Sequence, residues 1–123
     1  MSERKQRAYK KGLLAEWLAM GVLMLKGYLP CAWRYKTPVG EIDLIMKRGK
    51  LLAFVEVKAR QSRADAYRAI TPHNQQRVAR AAQYYLQAHP AYAAYTLRLD
   101  AVAVPWYGWP HHMRNAFQDS SAP

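Results

Sequence analysis

Hydrophobic and polar residues change their rhythm several times along the chain. From about Ser2 to Lys26 the apolar positions Leu13, Leu14, Trp17, Leu18, Gly21, Val22 and Leu25 recur at three and four, as on a helix with one buried stripe, and Gly27 ends it. Glu16 borders that stripe. A short strand over Cys31–Tyr35 leads through a turn at Pro38 and Gly40 into GEIDLIMKRGKLLAFVEVKAR, where two apolar runs, DLIM and LLAFVEV, are joined by KRGK. That is a β-hairpin with glycine in its turn. The following QSRADAYRA has no period and is expected to be a mobile loop. Thr71-Pro72 then supplies an N-cap hydroxyl and a first-turn proline for a helix to about Ala88, with the stripe Val78, Ala81, Ala82, Tyr85 and Leu86 and with Gln75 on or beside it. TLRLDAVAV reads as a strand entering a sheet interior, and the aromatic tail after Pro105 has room for one more short strand.

The order helix, strand, hairpin, helix, strand implies an α/β architecture, a mixed central sheet flanked by helices. With 123 residues, 51% hydrophobic and 22% charged, the chain suits a single domain spanning residues 1–123 with one core. Its formal net charge of +11 changes the picture more than its composition does. A field of that sign attracts polyanions before any specific contact forms, nucleic acid first and an anionic membrane surface second. Cys31 is the single cysteine, so no internal disulfide is available, and its ordinary use is as a small buried residue. The first apolar stretch is interrupted by Glu16 and is followed by no small-residue cleavage site. The expectation is a cytoplasmic protein with no membrane segment.

The hairpin carries chemistry that its fold does not require. Glu41, Asp43, Glu56 and Lys58 lie within or at the ends of strands, where acids are disfavoured. Alternation puts Leu52, Phe54, Glu56 and Lys58 on one face, and antiparallel pairing can bring Asp43 close to Glu56. A solvated edge with a surface salt bridge explains Lys58 well. It explains Glu56 poorly, because FVEV is apolar on both sides and desolvates the carboxylate. Two carboxylates suit Mg²⁺ or Mn²⁺, which keep several waters, and Val57, through its carbonyl, is a further candidate ligand. A divalent ion there assists phosphodiester hydrolysis, and Lys58 is placed to orient the attacking water or hold the phosphate.

Asp43 followed by Glu56-Val57-Lys58 resembles the D…ExK core of the PD-(D/E)XK nuclease superfamily. Longer stretches resemble the YraN-like family of small bacterial proteins, itself similar to archaeal Holliday junction resolvases: G-x-x-x-E at Gly12 and Glu16, GEIDLI, FVEVKAR, the Gln75 to Leu86 helix, LRLDAVAV, and H-x-x-NAF at His112 to Phe117. The resemblance covers nearly the whole chain, while WYGWPHH departs from the family pattern in its aromatics and histidine pair. It implies a restriction-endonuclease-like fold, a divalent-metal site and DNA as substrate. Asp43, Glu56 and Lys58 match the core, Glu16 the extra acid of the first helix in the resolvase branch, and Gln75 a polar position facing the active site. Lys10, Lys11, Arg60 and Arg77 are the cations expected to hold nucleic acid. A metal-dependent endonuclease and a catalytically weak nucleic-acid-binding module both remain open, and paired cuts on a junction call for a homodimer. Asp100 is expected to pair with an arginine or mark a strand entry, and the four histidines have no zinc spacing with Cys31.

Overall fold

A computed structural model describes residues 3–116, with the backbone alone for residues 7–11. The elements are α1 (Glu3–Leu25), β1 (Leu29–Thr37), β2 (Gly40–Arg48), β3 (Leu51–Arg60), α2 (Arg63–Arg68), α3 (Pro72–Ala88), a 3-10 turn at Pro90–Tyr92, β4 (Thr96–Pro105) and β5 (His111–Met113). All five strands join one open sheet in the order β1-β2-β3-β4-β5. β3 and β4 are parallel, from Leu51↔Thr96 to Arg60↔Pro105, because the chain returns through α3 before starting β4. The other neighbours are antiparallel. This is the mixed α/β sheet flanked by helices that the pattern implies, and it is consistent with a restriction-endonuclease-like fold. The hairpin turn is the two-residue loop Gly49-Lys50, with Gly49 at φ 60 in the first position, as in a type II′ turn.

Two cores lie on opposite faces of the sheet. Val78, Ala81, Ala82 and Tyr85 of α3 pack on Ile42, Ile45, Leu52 and Phe54, as the α3 stripe implies. Thr71 Oγ1 accepts the Asn74 N–H at 3.2 Å, which makes it the expected cap. On the other face Ala15, Ala19 and Leu23 of α1 meet Leu44, Met46, Ala53 and Val55.

α1 therefore sits differently from its apolar spacing. Leu14, Trp17, Leu18 and Leu25 are exposed, and the buried stripe is Ala15, Glu16, Ala19 and Leu23. The separation of packed elements is set by the side chains between them, so a stripe of alanines lets α1 lie closer than leucine and tryptophan would allow. Residues 63–68, expected to be loop, form α2, whose N-terminus is capped by Ser62 Oγ accepting the Asp65 N–H at 3.1 Å. Its six residues make fewer than two turns, too few for a helical period to register in sequence. β1 is also longer than Cys31–Tyr35, since pairing with β2 runs from Leu29↔Lys47 to Thr37↔Gly40.

β5 is the short strand expected after Pro105, and Asp100 holds it. This wholly buried carboxylate accepts from Arg98 Nε and Nη2, both at 2.7 Å, from His112 Nε2 at 2.8 Å and from the Asn115 N–H at 2.9 Å. The expected pairing with an arginine is thus observed, and the same acid ties the segment after β5 to β4. Phe117 of the NAF motif lies outside the described residues.

Candidate functional site

The pairing of β2 with β3 ends at Leu44↔Val55, which leaves Asp43 opposite Glu56 as the first residues beyond the ladder. In place of a ladder bond, the Val57 N–H donates to Asp43 Oδ2 at 2.8 Å. On the other side of β2, Trp33 pairs with Leu44 and Tyr35 with Ile42, which sets Arg34 opposite Asp43. Residues two apart in a regular strand share a face. Here they do not. Leu44 belongs to the α1 core and Ile42 to the α3 core, while Trp33 touches Trp17 of α1 and Tyr35 touches Tyr85 of α3. Both strands reverse their faces at Arg34 and Asp43, and Arg34 takes a left-handed φ of 54 to do so. That conformation costs a non-glycine residue about 1–2 kcal/mol.

The reversal brings Glu16 into the same region. From the buried stripe of α1 its carboxylate accepts Arg34 Nε at 2.8 Å and Trp33 Nε1 at 2.9 Å, and the residue is only 7% exposed. Nothing in WRY marks Trp33 and Arg34 as partners of an acid some seventeen residues earlier. The left-handed turn at Arg34 is what aims them there.

A cleft of about 870 Å³ opens over these groups. Its walls include Glu16, Asp43, Glu56, Val57 and Lys58, so five of the six expected catalytic or metal-binding residues converge. Arg60 also lines it, joined by Arg4, which sequence reasoning did not single out. A smaller cavity of about 130 Å³ lies between Asp43, Glu56 and Lys58 and the α3 residues Asn74 and Arg77. Gln75 is half-buried on the first turns of α3 and lines neither cavity, whereas Asn74, one position earlier, lines the smaller one and gives its side-chain amide to the Ala69 carbonyl at 2.9 Å. Arg77 lines the smaller cavity, close to Glu56. The helix is held near by Gly40, where a Cβ would stand 2.6 Å from the Arg77 carbonyl oxygen. The side chains of Lys10 and Lys11 lie outside the described residues.

Electrostatically the site is short of positive charge. Burial first, and then the neighbouring Glu56 and Glu16 charges, lift Asp43 to about 7 against the opposing bond from the Val57 N–H. Burial also raises Glu56, although Lys58 Nζ sits 3.0 Å from its Oε1 and pulls the other way. Among the described residues no group of three or more His, Cys, Asp or Glu side chains is placed to hold a metal ion. Two adjacent carboxylates that burial disfavours in ionised form, despite Lys58 on Glu56 and the Val57 N–H on Asp43, are the partial oxygen shell that Mg²⁺ or Mn²⁺ accepts while keeping waters, so the donor set fits such an ion. No helix among the described residues is long and apolar enough to cross a membrane.

Comparison with known proteins places the chain among bacterial relatives. A protein from Chelativorans sp. (strain BNC1) is 50% identical over 113 residues, covering 92% of this chain and 91% of that one. One from Methylorubrum extorquens (strain PA1) is 50% identical over 115 residues, with 94% and 90% coverage. One from Bradyrhizobium diazoefficiens is 47% identical over 120 residues, with 98% and 90% coverage. Each of the three is described as a UPF0102 protein. The model of the uncharacterised protein family UPF0102 matches residues 15–104, a stretch that contains Glu16, Asp43, Glu56 and Lys58. The chain therefore belongs to UPF0102, the YraN family that its motifs resemble.

Proposed function

We propose that the protein is a metal-dependent endonuclease that hydrolyses DNA phosphodiesters in the bacterial cytoplasm, with branched or junction structures as substrates. One observation carries this reading: Asp43 and Glu56 face each other where the hairpin ladder ends, with Lys58 on Glu56, inside a cleft of a strongly basic chain. Asp43 and Glu56 would hold Mg²⁺ or Mn²⁺, with the Val57 carbonyl as a further ligand. When bound, such an ion stabilises charge on the phosphoryl oxygens and on the leaving alkoxide and makes a water a better nucleophile. Lys58 holds the scissile phosphate or orients the attacking water, Arg60 and Arg77 neutralise flanking phosphates, and Glu16 sets the field beside Asp43. Resolving a junction needs two such sites, hence a symmetric dimer on DNA.

The alternative, a binding module of the same fold with little activity, is favoured by the saturation of Glu16 by Arg34 and Trp33. Incubation with linear, flapped and four-way DNA in Mg²⁺ or Mn²⁺ separates the two, with Asp43→Ala as control. Cleavage abolished by the variant supports the nuclease. Equal DNA binding by both proteins with no cleavage by either leaves the binding module. Light scattering with and without a four-way junction tests the dimer, and single nicks from a monomer would rule out junction resolution.

A further inference from the structure

One wall of the cleft is apolar. Ala15, Ala59 and Trp106 line both the acid-bearing cleft and a second groove of about 160 Å³, so the two form one continuous surface. Leu14 and Leu18 of α1 and Val104 and Pro105 of β4 complete the groove. These leucines are available because α1 gives its alanine stripe to the sheet. Leu14 is 59% exposed, Leu18 45% and Trp106 49%.

The backbone holds Trp106 at this junction. Its N–H donates to the Arg60 carbonyl at 3.0 Å, one step beyond the last β3–β4 pair, Arg60↔Pro105. At a rise of about 3.3 Å per residue, Arg60 lies roughly 13 Å along β3 from Glu56. Lys58 and Arg60 line the cleft between the acids and the tryptophan.

We propose that the groove headed by Trp106 receives an unpaired nucleobase from a DNA strand whose phosphates run along the cleft past Lys58 and Arg60. This rests on reading the cleft as a nucleic-acid site, though not on cleavage there. A strand that sets its phosphates against cations must also place its bases. In a duplex they are stacked on one another and cannot enter a groove. In a flap, loop or single strand they are free to stack on an aromatic face beside a cationic track. Both halves of that arrangement are present, the track in Lys58 and Arg60 and the platform in Trp106 with its apolar floor. A second copy of the chain is the poorer occupant of this groove, because without DNA between them it would bring a further charge of +11 against the cations of the track. The groove thus selects DNA with unpaired nucleotides beside the phosphates held in the cleft.

The test is equilibrium binding of a labelled oligothymidylate and of a blunt duplex of equal length. It is measured by fluorescence anisotropy in EDTA, with wild type, Trp106→Ala and Trp106→Phe, after thermal unfolding has confirmed that each is folded. Trp106→Ala is expected to lose at least about fivefold in affinity for the single strand, Trp106→Phe to keep most of it, and duplex affinity to stay unchanged in both. If Trp106→Ala does not fold, Trp106→Leu, which keeps apolar bulk without a ring face, carries the same expected loss. Wild-type affinity of the alanine or leucine variant for the single strand overturns the proposal, as does an equal loss on single strand and duplex. A change in self-association without DNA, at unchanged single-strand affinity, assigns the groove to a second copy and overturns it too. Since EDTA prevents metal-dependent cleavage, these outcomes are separate from the nuclease test. Tryptophan-dependent binding without cleavage in Mg²⁺ would sink the catalytic reading alone.

Discussion

The Asp43 carboxylate accepts the Val57 N–H at 2.8 Å, so the acid of β2 is bonded to the residue that lies between Glu56 and Lys58 on β3. This bond takes the place of the next ladder rung after Leu44↔Val55 and holds the Asp43 carboxylate against β3. It also keeps an ionisable group in a desolvated place beside two other acids.

Asp43→Asn should therefore stabilise the protein while removing metal-dependent cleavage. The folded-state pKa is raised to about 7, above its ordinary value near 3.8, so ionisation costs stability at high pH and costs nothing below the unfolded value. At pH 8 the variant should gain about 1–2 kcal/mol, with the amide oxygen still accepting from Val57. The gain should shrink steadily as pH falls toward 4. Urea unfolding at both ends of that range measures it, and a variant no more stable than wild type at pH 8 would contradict the picture.

Glu56 and Lys58 touch at 3.0 Å, and the proposed reaction gives them separate roles. Calorimetry without DNA should show weak Mg²⁺ or Mn²⁺ binding that Glu56→Ala abolishes, because few protein oxygens are available. Lys58→Ala should keep the metal and lose cleavage. Equal loss of metal in both variants would merge the roles.

Asp100 should govern acid stability. Burial alone would raise it, but the bonds from His112, Arg98 and the Asn115 N–H outweigh burial and hold it at about 2. A lowered pKa gives stability that is complete above the unfolded value near 3.8 and lost as pH falls through about 2. Asp100→Asn should cost about 3 kcal/mol at neutral pH, since it leaves Arg98 without its charge partner, and should flatten the unfolding profile between those limits. A wild-type acid profile in the variant would refute the assignment.

DNA affinity should depend on salt more than on base sequence, because Lys and Arg meet phosphates. Raising salt from about 50 to 200 mM should weaken binding about a hundredfold. A flat response would mean that the basic surface is not the binding surface.

Much of this protein was legible in its sequence. The GEIDLI and FVEVKAR strands, the glycine turn between them and the Thr71-Pro72 helix start all rest on local rules, namely alternation, turn chemistry and capping, which act within a few residues. Strand alternation also set Asp43, Glu56 and Lys58 in reach of one another before any fold was known. The place of Asn74 at the smaller cavity was not legible, because a stripe read at three-residue steps cannot resolve which of two neighbouring polar residues turns toward a sheet.

What the sequence determined by itself was the set of elements and the acid pair, since both follow from periods of two and 3.6 residues and from the covalent spacing along one hairpin. Tertiary structure alone decided which stripe of α1 is buried, and with it the placing of Glu16 against Arg34 and of Leu14 and Leu18 beside Trp106. A helix with apolar residues on two stripes has no local preference between them. The choice falls to the one whose small side chains let the helix lie closest to the sheet, and the left-handed Arg34 opposite Asp43 persists because the packing on both faces over-determines it.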